Sequence, residues 1–383
     1  MDRPSDDEKN LENGNCVTGC DSAPAASSFK QLSFLDRFLA IWIFLAMAIG
    51  IILGYFVPET SPALQRGKFV DVSIPIAVGL LIMMYPILVK VRYEMLPRLL
   101  RLRELWIQIF FSVIANWVIA PLFMLALSWA FLPDRPELRE GLILVGVARC
   151  IAMVLIWTDL AGGDGEYCAM LVAFNSMLQI VLFAPLAVFY IRVVSRSSSS
   201  VDISYEVVAK SVAVFLGIPL AAAVVTRFVV LFGIFKGDID RWNKNFVRWI
   251  APWSLIGLLF TILVLFASQS RNVVGKITSV LRVCAPLVVY FLMIFAASVW
   301  ACRLLGHGGK RARWGYEKTA TQSLTAASNN FELAIAVAVA CYGAGSEQAL
   351  AATVGPLVEV PVLLALVEAL KWLKPRMKWE DDE

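Results

Sequence analysis

The sequence predicts an all-α polytopic membrane protein, and three observations carry that prediction. Apolar residues gather in ten runs, each about 20 residues or longer, which is what a helix rising about 1.5 Å per residue needs to cross about 30 Å of hydrocarbon. Hydrophobic residues make up 59% of the chain and charged residues 17%, against roughly 25% charged in an ordinary soluble domain. The basic residues between the runs fall alternately on a rich side and a poor side.

The runs cover 38–57, 69–91, 105–131, 141–161, 167–194, 205–232, 246–267, 280–305, 319–342 and 349–373. The first three are predominantly apolar stretches, the third holding Asn116 in its interior. The fourth is interrupted by Arg149 and Cys150, and the fifth carries Asn175 and Gln179. The ninth is interrupted by Ser328, Asn329, Asn330 and Glu332, and the tenth contains Glu359 followed by Pro361.

With the N-terminus in the cytoplasm, one side receives twenty basic residues, in the segments 30–37, 90–103, 236–248, 303–318 and 371–378. The other receives eight: Arg66, Lys68, Arg135, Arg139, Arg192, Arg196, Arg271 and Lys276. Positive residues favour the cytoplasmic side, so both termini are expected there. These basic loops flank spans at every turn, and nucleic acid is not expected as a partner. The acidic, Ser- and Asn-rich segment 1–32 has no apolar stretch and is expected to be a disordered cytoplasmic tail. It is followed by a membrane domain over 33–374 and a short tail over 375–383. The seven cysteines are scattered, without the spacing of a disulfide framework.

The chain also repeats itself. Val-Ala-Arg-Cys-Ile-Ala-Met (147–153), Gly-Gly-Asp-Gly-Glu (162–166) and Asn-Ser-Met-Leu-Gln (175–179) are followed in the same order by Ala-Ser-Asn-Asn-Phe-Glu-Leu-Ala (327–334), Gly-Ala-Gly-Ser-Glu (343–347) and Gly-Pro-Leu-Val-Glu (355–359). The offset is about 180 residues. Two repeats, 33–195 and 203–374, would hold five spans each, and an odd number places the second copy upside down. Inverted repeats suit a transporter, whose halves rock around a midplane site.

A charge at the bilayer centre costs about 2.5–3.5 kcal/mol on insertion scales, so Arg149 and Glu332 need a purpose or a partner. Each sits in a polar cluster that breaks an apolar run, the mark of a discontinuous helix. We expect the two breaks to cross and face each other; Arg149 could instead simply ion-pair with Glu332. Asn116 and Asn175 either join helices by hydrogen bonds or line the pathway. Glu359 is a second proton site or a structural group, and Asp159, near the end of its run, is interfacial. Cys150 offers a soft sulfur ligand beside an arginine. Cys168, Cys284, Cys302 and Cys341 read as small buried hydrophobes.

Other chemistries are excluded. No GxxxxGK[ST] loop exists for direct ATP drive. The single histidine, His307, lies in a basic loop, away from any nucleophile at membrane depth, so an intramembrane protease is not indicated. Neither enzymatic activity nor a cofactor is expected, and no zinc-type ligand cluster is present.

Three stretches carry a family resemblance: Gly-Leu-Leu-Ile-Met-Met-Tyr-Pro (79–86) running into Lys-Val-Arg-Tyr-Glu (90–94), Ala-Arg-Cys-Ile-Ala-Met-Val (148–154), and Ser-Asn-Asn-Phe-Glu-Leu-Ala-Ile-Ala (328–336). Over roughly 33–374 the chain resembles the arsenite efflux permeases of the bile acid/arsenite/riboflavin transporter superfamily. The resemblance implies ten transmembrane helices in two inverted five-helix repeats, with the fourth and ninth helices broken and crossing, and the first, second, sixth and seventh forming a panel. It further implies that Cys150 and Glu332 are required for transport, with Arg149, Asn175, Asn330, Asn116 and Glu359 as polar neighbours; Asn329, in the same break, is a further expected site residue.

The expected partners are therefore arsenite, protons and the bilayer. Arsenous acid is small, thiophilic and neutral near pH 7. Cys150 would contact As(III), Asn330 would orient it, and Glu332 would take up a proton as the substrate leaves. One thiol can hold such a solute and still release it. Antimonite as further cargo, the plasma or vacuolar membrane as location, and a homodimer as assembly are left open. A sodium-coupled organic-anion symporter is the alternative, and a receptor that binds without transporting is a second.

Overall fold

A computed structural model describes residues 38–57, 59–64, 66–91, 93, 103–151, 153–196, 203–306, 314–377 and 379. The expected N-terminal tail, His307 and much of the basic segments 90–103 and 303–318 lie outside the described residues.

In chain order the helices are α1 (Leu39–Phe56), a short α2 (Thr60–Leu64), α3 (Ile74–Lys90), α4 (Leu105–Phe131), α5 (Pro136–Val147), α6 (Val154–Ala161), α7 (Gly165–Val194), α8 (Tyr205–Ile234), α9 (Ile239–Ser268), α10 (Ile277–Gly306), α11 (Tyr316–Ala327), α12 (Phe331–Tyr342) and α13 (Glu347–Leu373). A two-stranded hairpin, Lys68–Phe69 with Val72–Ser73, precedes α3. The fold is all-α, as hydrocarbon requires of a chain whose backbone groups must bond within each segment. Among the described residues, six helices are long and apolar enough to cross a membrane: α4, α7, α8, α9, α10 and the helix beginning at Glu347. Helices α1, α3 and α12 are apolar but shorter. A helix, or an interrupted pair of helices, lies over each of the ten apolar runs.

One group of helices packs α1 on α9, α9 on α3 and α3 on α8. Small residues permit the close approach. A Cβ on Gly50 would sit 2.6 Å from the Leu263 carbonyl oxygen, and one on Gly257 would sit 2.8 Å from the Met83 nitrogen. Backbones this near gain dispersion contacts that apolar lipid cannot outcompete. The outward faces of α1 and α8 carry exposed Phe44, Ile52, Val225 and Val229, as lipid-facing helices should.

The second group surrounds the interrupted helices α5–α6 and α11–α12. Helix α11 holds Thr319, Thr321, Gln322, Ser323 and Thr325, all fully buried, so protein rather than lipid encloses it. Gln322 Nε2 donates to the Gln108 carbonyl of α4 at 3.2 Å and to the Tyr167 hydroxyl of α7. Gly355 of α13 lets the Phe331 ring of α12 lie against the helix backbone, where a Cβ would clash. In the turn after α4, Asp134 accepts a bidentate pair from Arg282, near the start of α10, at 2.5 and 2.8 Å. That hydrogen-bonded guanidinium holds the Asp134 carboxyl at about 2, below its usual 3.8.

Candidate functional site: where two helix breaks meet

Helix α5 stops at Val147 and α6 resumes at Val154; α11 stops at Ala327 and α12 resumes at Phe331. The breaks meet. Arg149 and Asn329 form an antiparallel bridge, and the Asn330 N–H donates to the Ala148 carbonyl at 3.0 Å. Each interrupted helix leaves carbonyls at one end and N–H groups at the next. Asn330 caps α12 by accepting from the Leu333 N–H at 3.1 Å, and Glu332 stands in the first turn, where the helix dipole favours a carboxylate.

Arg149, fully buried, fastens the crossing. Its guanidinium donates to the carbonyls of Ala326 (2.6 Å), in the last turn of α11, and Ser328 (3.1 Å), just past it, and to the Asn329 side chain (2.9 Å). It reaches Tyr290 Oη of α10 (2.8 Å) and Asn116 Oδ1 of α4 (3.2 Å) as well. A cation at a helix C-terminus satisfies both the dipole and the orphan carbonyls. None of its partners is a carboxylate, so the simple Arg149–Glu332 ion pair is not what the structure forms. Asn116 sits in a π-helical turn, Ala115–Ile119, a widening often used where a helix serves a site. Its amide nitrogen donates to Ser112, so one side chain both joins α4 to the crossing and borders it.

Two further bonds match across the breaks. Gln179 Oε1 of α7 accepts from the Arg149 N–H at 2.7 Å, and Glu359 Oε1 of α13 accepts from the Asn329 N–H at 3.2 Å. Each acceptor lies 30 residues after its donor, and the two donors are 180 residues apart. Glu359 also accepts from Ser328 Oγ at 2.6 Å. Asn175 Oδ1 accepts from Trp117 Nε1 at 3.1 Å.

Cys150 is buried between the end of α5 and the start of α6, and Glu332 is 8% exposed at the start of α12. Around the crossing, the amide nitrogens Asn175 Nδ2, Gln179 Nε2, Asn329 Nδ2 and Asn330 Nδ2 are buried with no hydrogen-bond partner. Four unspent donors in one place suit a small solute rich in acceptor oxygens, because buried polar groups otherwise carry a desolvation cost. Seven of the eight expected residues thus fall at, or one bond from, the crossing, while Asn175 is tied to Trp117, the neighbour of Asn116. Asp159 is exposed near the end of α6, away from it.

Sequence reasoning missed Tyr290, which donates to Asn329 Oδ1 at 3.2 Å and accepts from Arg149; it sits in a continuous apolar run with no local signal. Trp117 was missed for the same reason. Gln179 could have been found, since it stands at the repeat position of Glu359. Arg227, buried in α8, donates to the Val89 carbonyl at the end of α3 at 3.0 Å and was not anticipated as a cap.

The chain is similar over most of its length to known proteins. The Sodium Bile acid symporter family matches residues 75–276. The Arsenical-resistance protein Acr3 of Corynebacterium glutamicum is 45% identical over 351 residues, covering 91% of each chain. The chain belongs to the arsenical-resistance permease family. An uncharacterized transporter of Synechocystis is 31% identical over 360 residues, covering 89% of both chains. The Arsenical-resistance protein Acr3 of Alkaliphilus metalliredigens is 28% identical over 350 residues, covering 88% of this chain and 93% of its own. This permease is accordingly an integral, multi-pass membrane transporter, and its relatives are transporters rather than enzymes.

Proposed function

We propose that this permease exports arsenite from the cytoplasm in exchange for protons, through the crossing of α5–α6 with α11–α12. The observation that carries the reading is that crossing: Cys150 and Glu332 flank a polar junction lined by unpaired amide donors, with Arg149 locking it from behind. The names of two relatives, 45% and 28% identical, support arsenic as the cargo. Cys150 supplies the soft sulfur for As(III), Asn330 and its neighbours donate to the As–OH oxygens, and Glu332 carries the proton.

The energetics suffice for pumping. One proton entering down about 100 mV provides about 2.3 kcal/mol, and one pH unit adds about 1.4 kcal/mol. Together these sustain a gradient of a few hundredfold in a neutral solute at one-to-one exchange.

The architecture we propose is ten spans in two inverted five-helix repeats, with both termini cytoplasmic. It is supported by the 180-residue offset between α5 (Pro136–Val147) and α11 (Tyr316–Ala327), and by the matching Gln179 and Glu359 bonds. The matched family's name favours one second reading, sodium-coupled symport of an organic anion. Cells lacking their own arsenite exporter separate the two. Arsenic loss that follows an imposed pH gradient and vanishes in Cys150→Ser and Glu332→Gln supports exchange, whereas sodium-dependent organic-anion uptake without arsenic loss supports symport.

A further inference from the structure

A second buried carboxyl lies away from the crossing. Glu140, one turn into α5, is 1% exposed. Its Oε2 accepts from Gln348 Nε2 of α13 at 3.0 Å, while its Oε1 is buried with no partner. The Tyr342 hydroxyl at the end of α12 is likewise buried and unpartnered, within electrostatic reach of Glu140. Gly141 lets α5 and α13 pack closely beside this carboxyl: a Cβ there would sit 2.5 Å from the Gln348 carbonyl oxygen and 2.8 Å from Ala351 Cβ.

The fold does not require this carboxyl. Helix α11 repeats α5 at an offset of 180 residues, and the position corresponding to Glu140 is Ala320, fully buried and apolar. There the packing is completed by ordinary bonds: Thr321 accepts from the Asp164 N–H at 3.1 Å and donates to the Glu317 carbonyl at 2.8 Å. One end of the core therefore closes without an acid, and the other buries one with half its hydrogen-bonding capacity unused.

We propose that Glu140, with Tyr342 and Gln348, is a proton-loading site on the face opposite the basic loops, feeding the exchange at Glu332. This rests on the proton-exchange reading above. The two carboxyls are linked by α12, with Glu332 in its first turn and Tyr342 in its last, ten residues or about 15 Å apart along the axis. A tyrosine hydroxyl both donates and accepts. With Glu140 ionised, Tyr342 O–H donates to Oε1; with a proton taken from outside water onto Oε1, the acid O–H donates to the Tyr342 oxygen. Loading thus reverses one hydrogen bond and leaves the Gln348 bond in place. When the core opens, the proton passes through the water of the crossing to the Glu332 carboxylate.

The other charged or titratable groups around the site are accounted for. Arg139, the neighbouring residue, interacts with Glu140 through charge, while its side chain lies over the Trp129 ring at 3.7 Å and donates to the Leu132 and Pro133 carbonyls. Glu347 is paired with Lys276 at 2.7 Å. Arg192 and Cys341 act on Tyr342 through charge alone.

The test is arsenite flux in proteoliposomes with inner pH fixed and outer pH stepped. Wild type should accelerate toward the limit of about tenfold per outer pH unit set by one titrating group. Glu140→Gln should retain under twofold, and Tyr342→Phe, which keeps the carboxyl, should move the midpoint of the profile. A merely structural Glu140 would lower the yield of folded protein and leave slope and midpoint unmoved. Profiles in Glu140→Gln and Tyr342→Phe identical to wild type overturn this inference alone, whereas a wild type indifferent to outer pH overturns the exchange reading together with it.

Discussion

Replacing Arg149 removes the one side chain that joins the carbonyls at the end of α11 to α4 and α10. Of its five partners within 3.2 Å, Tyr290 and Asn329 keep each other at 3.2 Å. Asn116 Oδ1 and the carbonyls of Ala326 and Ser328 lose the guanidinium. Each acceptor left buried and unsatisfied costs about 1–3 kcal/mol, so Arg149→Met should lose about 3–9 kcal/mol, much of a native stability of about 5–15 kcal/mol. Arg149→Lys presents three donors from a single point and should leave at least one acceptor unmet, a loss of about 1–3 kcal/mol. Melting of the detergent-purified protein, followed by size-exclusion recovery after heating, should therefore rank wild type above Lys and Lys above Met. The contrary expectation is a physical one, because exchanging a buried ionic group for an apolar residue is often neutral or stabilising. An Arg149→Met variant as stable as wild type would refute the claim that the guanidinium fastens the crossing.

Two further outcomes follow from the geometry. Gly355→Ala drives a methyl into the Phe331 ring and should cost about 1–3 kcal/mol; adding Phe331→Leu should recover stability and, because Glu332 is the next residue, part of the transport lost, as flux and melting measured on the same preparations will show. Asp134 has its carboxyl depressed to about 2 by Arg282, so its stabilising contribution is fully present above its usual 3.8 and is lost as pH falls through about 2. The melting difference between wild type and Asp134→Asn should accordingly stay constant from about pH 8 to about pH 4 and shrink only below that.

What the sequence made legible follows from the solvent each residue faces. Lipid leaves a strong mark, and the apolar runs located every helix but the short α2. The two breaks were equally plain, because Arg149 and Ser328–Glu332 are costly at that depth and stand out against apolar surroundings. That they cross was expected from the sequence; which groups bond across the crossing was not legible. The choice of backbone carbonyls, rather than Glu332, as the partners of Arg149 depends on where α11 ends, a matter of single residues. Tyr290 looks like any aromatic in an apolar helix until α10 is seen to pass the crossing. Glu140 was hidden differently: with Arg139 beside it and Pro136 and Glu137 before it, the segment reads as a polar helix start at the membrane surface. Burial against Gln348, made possible by Gly141, appears only once α5 and α13 are packed.

The central claim is that arsenite and protons move in opposite directions through the site flanked by Cys150 and Glu332. The most direct test is to load proteoliposomes with arsenite, with the cytoplasmic face inside, and record internal pH and arsenite release together. The account predicts release accompanied by internal acidification, accelerated by an acid exterior, and abolished in both Cys150→Ser and Glu332→Gln. Release without proton movement, or undiminished release from Cys150→Ser, would contradict it.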